Sequence, residues 1–137
     1  MADKVRSDIM PKIILAADKE ECAMTIDLWT CNHTTINYMG VTSHHISNEW
    51  ELVNKVVMTA KFPDCPKTAE NIRNELEERL ESLGMSNKTL KVKFVTDQSD
   101  HGANMRKALE DYIRIPCSAH KINTVLRHTF DANFLQD

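Results

Sequence analysis

Residues 23–29, Ala-Met-Thr-Ile-Asp-Leu-Trp, decide how the chain is read. Met24, Ile26 and Leu28 alternate with Thr25, Asp27 and Trp29. That period of two sends successive side chains to opposite faces of a strand. The run therefore predicts a strand with one aliphatic face and with Asp27 in mid-strand on the other.

Working outward, residues 32–37 have turn composition, and residues 38–46 predict a second strand with Gly40 inside it, at a bulge or a close approach. Ser47, Asn48 and Glu49 read as a tight connection to a third strand over residues 50–59. Short connections favour antiparallel pairing. Upstream, residues 1–22 form a lead-in, a short helix or a loose segment, with an apolar patch from Ile13 to Ala17. Downstream, Pro63 and Pro66 interrupt the chain before the clearest helix, residues 69–83. Ala69, Ile72, Leu76, Leu80 and Leu83 make its stripe, Thr68 its N-cap and Gly84 its C-terminal cap. Its Glu and Arg residues read as a solvated face.

Leu90, Val92 and Phe94 alternate with Lys91 and Lys93, predicting a fourth strand over residues 90–97. A helix over residues 103–112 follows, then a short strand at 113–117. The last helix covers residues 119–130, with Ile122, Val125, Leu126 and Phe130 expected to face inward. Three short-linked strands followed by helix-linked ones imply an α/β fold: a mixed sheet with helices on its faces. The division expected is a lead-in at 1–22 and one domain over 23–137.

Bulk properties exclude several classes. A length of 137 residues, 42% hydrophobic and 27% charged, suits a single globular domain. The net charge of −3 lacks the basic excess of a free-standing nucleic-acid binder. Cys22, Cys31, Cys65 and Cys117 are scattered, and no secretory leader is visible, so reduced thiols in an intracellular protein are expected. No run approaches the roughly 18 apolar residues of a membrane span.

Two acids occupy informative places. Asp27 lies within the first strand, and Asp97 closes the fourth. If those strands are neighbours, the carboxylates converge at one sheet end, as hard oxygen ligands for Mg²⁺ or Mn²⁺. The bland alternative makes Asp27 a bulge or turn acid and Asp97 a helix cap. Cys117 and His120 could pair with Cys31 and His33 around zinc, but the spacing is wrong for a structural site and zinc is not expected. A Cys–His nucleophile lacks an orienting third residue. His44 and His45 alternate on a strand, with surface or edge positions as the default. Trp29 and Trp50 read as packing residues, or as platforms for a base. Arg106, Lys107, Arg114, Lys121, Arg127 and His128 make the last third basic, either as phosphate contacts or as solvated faces.

Six fragments in order carry a resemblance: DLWT at 27–30, SHHISNEWEL at 43–52, TAENI at 68–72, FVTD at 94–97, GANMRKAL at 102–109 and CSAHKINTVL at 117–126. Together they resemble the first part of the catalytic domain of hAT-type DNA transposases and their domesticated relatives, over about residues 23–130. The resemblance implies a ribonuclease H-like fold, incomplete at its C-terminus, and an acidic triad that binds Mg²⁺ or Mn²⁺. Asp27 matches the first acid. The second is Asp97 by strand position or Asp100 by counting back from the GANM segment. Cys117 and His120 match a Cys-x-x-His motif near the active site and the bound DNA end, giving His120 a DNA or leaving-group contact, with Lys121 and Arg106 as weaker DNA contacts. In the family the third acid, a glutamate, lies far downstream, and Lys67 stands where histidine is common. The implied function is metal-dependent DNA cleavage and strand transfer, in a nuclear protein, from a fragment inactive alone. The alternative is a domesticated, non-catalytic module binding nucleic acid or protein. An exposed sheet surface that serves a protein partner or a homo-oligomer is a further expectation.

Overall fold

The computed structural model describes residues 2–85, 91–97 and 102–133. A helix, α1 (Ala2–Asp18), leads into strands β1 (Cys22–Thr30), β2 (Asn37–Ile46) and β3 (Leu52–Lys61). Helix α2 (Ala69–Ser82), strand β4 (Lys93–Thr96), helix α3 (Gly102–Ala108), strand β5 (Ile113–Pro116) and helix α4 (Ser118–Asn133) follow. The five strands form one sheet in the order β3-β2-β1-β4-β5. β1 pairs antiparallel with β2, and β2 with β3, whereas β4 is parallel to both β1 and β5. This is the mixed α/β sheet with flanking helices that the alternation predicts.

The alternating residues sort as expected. Met24, Ile26, Met39, Val41 and Phe94 are buried, together with Ile72, Leu76 and Leu80 of α2. Full burial of each such side chain removes apolar area worth about 1.5–3 kcal/mol from water. Met10, Ile13 and Ala17 of α1 enter the same core, so the N-terminal segment is a full helix packed against the domain. Thr68 caps α2 by accepting from the Asn71 backbone N–H at 3.2 Å, and Gly84 follows the helix at φ +78°. The α2 face read as solvated is partly engaged: Glu75 is buried and paired with Arg79. Arg73 donates to the Ala108 carbonyl and to Asp111, both at 2.7 Å, tying α2 to the end of α3.

Other expectations need correction. Helix α3 ends at Ala108, four residues early, because Tyr112 turns back into the core. There it meets Phe94 edge-on at 5.1 Å and donates to Glu77 Oε1 at 3.1 Å. β3 starts at Leu52, two residues late, because Trp50 sits in the hairpin turn with φ +62°. Trp50 is 89% exposed and is no packing residue. The histidines lie on the interior strand β2, not at an edge. α4 forms, but its stripe does not face inward: Ile122, Val125, Leu126 and Phe130 are all about half exposed or more.

Candidate functional site

Three strands bring chemistry to one edge of the sheet. β1, β4 and β5 run parallel, so their C-terminal ends lie together, the usual location of ligand sites in open α/β sheets. The last register pair between β1 and β4 is Ile26 with Thr96. Asp27 and Asp97 are each the next residue, on strands spaced about 4.8 Å apart. Ile26 and Thr96 are buried, whereas Asp27 is exposed and Asp97 half-exposed. The two carboxyl-bearing residues expected to converge therefore stand side by side at the accessible end. Asp100 lies outside the described residues.

The first turn of α4 closes in on Asp97. The Cys117 N–H donates to the Thr96 carbonyl at 2.9 Å, extending the β4–β5 ladder past Pro116. α4 starts at the next residue, which carries His120 over the site. Its Nδ1 lies 2.8 Å from Asp97 Oδ1. Cys117 is partly buried beneath this turn, and Lys121 is exposed beyond it. Arg106 and Lys107 project from α3 into solvent, as do Arg127 and His128 from α4. Arg114 differs: it turns back onto the sheet, donating from Nε to Thr96 Oγ1 at 2.5 Å and from an Nη to the Asp97 carbonyl at 3.2 Å.

Beside Asp27 the same strand offers an aromatic surface. Trp29 stacks on its cross-strand partner Tyr38 with centroids 5.6 Å apart and planes 19° apart. Its ring lies over Gly40, which pairs with Asp27. A Cβ at Gly40 would stand 3.0 Å from the Trp29 ring. The glycine thus serves close approach, and the bulge falls one position on, between Val41 and Thr42. Farther along, His44 spans three strands, with Nε2 2.8 Å from Thr25 Oγ1 and Nδ1 2.7 Å from Asn54 Oδ1.

Sequence reasoning did not single out two groups near this edge for the site. Lys67 Nζ donates to Thr30 Oγ1 at 3.2 Å, and Asn104 Nδ2 donates to the Lys67 carbonyl at 2.9 Å. Lys67 thus brings a cation near the end of β1. Its place directly after Pro66, where the resemblance expects histidine, was the available signal. The four cysteines are unpaired. Burial pushes the Cys22 thiol up, and hydrogen bonds led by the Thr34 side chain draw the Cys31 thiol down. Cys31 and His33 do not join Cys117 and His120: no cluster of three or more candidate metal ligands occurs among the described residues. A cleft of about 520 Å³ between α1 and the β2–β3 turn lies at the opposite end of the sheet and contains neither acid.

This five-stranded mixed sheet with its four helices is consistent with a ribonuclease H-like domain. The chain belongs to the hAT transposase family: residues 25–127 match the ZBED1 RNase-like domain. It is also similar to the transposable element Hobo transposase of Drosophila melanogaster, 34% identical over 136 residues. That alignment covers 98% of this chain and 20% of the relative, so the chain spans about one fifth of that protein's length. Among the described residues no helix is long and apolar enough to cross a membrane.

Proposed function

We propose that this chain supplies two carboxylates, Asp27 and Asp97, to a divalent-cation site for DNA phosphodiester cleavage and strand transfer. The observation that carries the reading is the register: the two acids follow the last β1–β4 pair directly. Their oxygens are the hard donors that Mg²⁺ and Mn²⁺ take. One or two carboxylates, with water and substrate phosphate filling the remaining positions, is ordinary for Mg²⁺. The donor set therefore fits the ion as a shallow, open site. A bound divalent ion would supply activation of a water and charge stabilisation at the leaving oxygen.

The remaining roles belong to the chain's own groups. His120, held against Asp97 Oδ1, restrains that carboxylate and stands where a DNA oxygen would approach. Lys121, Arg106 and Lys67 offer ammonium and guanidinium groups to phosphates, which orient DNA without reading its sequence. Trp29, stacked on Tyr38, presents a ring face next to Asp27 on which an unpaired base could stack. Membership of the transposase family supports DNA as the substrate and a nuclear site of action.

With two carboxylates the site is weak, and the purified chain alone is expected not to cleave DNA. Supercoiled plasmid incubated with the chain and Mg²⁺ or Mn²⁺ should stay intact. Nicking that Asp27→Ala abolishes would contradict that expectation. The cation reading is tested by Mn²⁺ titration: broadening of amide signals around Asp27 and Asp97, lost in Asp27→Asn, supports it, and unchanged broadening in that variant sinks it. A second reading, a non-catalytic transposase-derived module that binds protein, draws support from the bare apolar stripe of α4. It requires no cation at the acids, so the same titration separates the two.

A further inference from the structure

Arg114 reads in the sequence as one more cation of a basic stretch, but its side chain is engaged within the sheet. We propose that Arg114 is a positioning residue that fixes the backbone presenting Asp97, and so sets its carboxylate against Asp27. This rests on the reading of the two acids as a cation site.

β4 and β5 end on the pair Thr96 and Pro116. The Cys117 N–H continues that ladder by donating to the Thr96 carbonyl. Asp97 is the residue that follows the end of β4. Arg114 spans this strand end with one planar group, which donates to the fully buried Thr96 hydroxyl and to the Asp97 carbonyl. Two bonds from a rigid fork set orientation as well as distance, which a lysine ammonium does not. His120 meets the side chain of Asp97 while Arg114 holds its main chain, so the residue is restrained at both ends.

The charge of Arg114 gives the proposal a sharp test, because a positive group near a cation site opposes binding. If Arg114 acted only through charge, Arg114→Met would tighten Mn²⁺ and Arg114→Lys would leave it unchanged. If it acts by positioning, both substitutions weaken Mn²⁺, by about tenfold, as for other groups that orient metal ligands. The measurement is the apparent Mn²⁺ dissociation constant of the full chain, from paramagnetic broadening of amide signals around Asp27, with far-ultraviolet circular dichroism to confirm folding. Thr96→Val removes the hydroxyl that anchors Nε and should shift the constant in the same direction. It also carries the comparison if an Arg114 variant fails to fold. Binding that depends on Asp27 and Asp97 but is unaffected by Arg114→Lys and Thr96→Val would overturn the positioning role and leave the cation site standing. Binding indifferent to Asp27→Asn and Asp97→Asn would remove the cation site and the positioning role with it.

Discussion

Replacing Gly40 by valine should destabilise the wild-type chain and stabilise a chain that lacks the Trp29 ring. A Cβ at Gly40 would stand 3.0 Å and 3.3 Å from two ring carbons of Trp29. Ordinary contact begins near 3.4 Å, so the ring must move, and valine's methyl groups extend the clash. The ring is not free to yield cheaply, since it stacks on Tyr38. Overpacking of this kind costs about 1–3 kcal/mol, and loss of the aromatic pair about 0.5–1.5 kcal/mol more. Against this, removing glycine's unfolded-state freedom gains about 0.5–1 kcal/mol, and valine's strand preference up to about 1 kcal/mol. The balance is a net loss of about 1–2 kcal/mol in the wild-type background. In Trp29→Ala the penalties vanish and the gains remain, so Gly40→Val should then stabilise by about 1 kcal/mol. Urea unfolding of the four chains, followed by circular dichroism at constant m-value, measures the coupling. A Gly40→Val penalty of equal size in both backgrounds would refute the argument, because the ring would then not be its cause.

Two other outcomes follow from groups away from the acids. Burial, reinforced by the Glu77 carboxylate, pushes the Tyr112 hydroxyl up to about 12, so the fold favours its neutral form. The stability this contributes is complete below pH 10 and is lost as pH rises from about 10 to 12, and it amounts to roughly 1–2 kcal/mol once solvent screening is discounted. Absorbance near 295 nm should show a late tyrosine phase that Tyr112→Phe removes, and a titration complete by pH 11 would contradict it. The α4 stripe should bind a hydrophobic dye, and Phe130→Glu should lower that signal while changing stability by less than about 0.5 kcal/mol. A loss of 3 kcal/mol or more in that variant would mean that Phe130 is packed.

How much was legible in the sequence depended on whether local pattern or distant partners decided the outcome. The alternation around Asp27 and the stripe of α2 report burial directly, so the core faces of β1 and α2 read correctly. The place of Asp97 beside Asp27 hung on β1 and β4 being neighbours, a condition that local pattern leaves open and the sheet order meets. Arg114 could not be read this way. Its partners, Thr96 and Asp97, lie on another strand, and a single charge in sequence does not say whether it faces water or a carbonyl. The α4 stripe misled for the opposite reason: periodicity shows that one face is apolar, not that anything covers it. Trp50 was misassigned because a positive φ in a turn gives no compositional sign when the residue is not glycine.

Asp27 and Asp97 stand seventy positions apart in the chain, yet they become neighbours through a single parallel strand pairing. Such a contact closes only after the β1–β3 hairpins and the α2 crossover are in place, and long-range parallel pairing is slow relative to local structure. During refolding, cation capture by the two acids should therefore lag behind the recovery of helical signal. A bound Mn²⁺ would then act as a clock for the last step of sheet assembly.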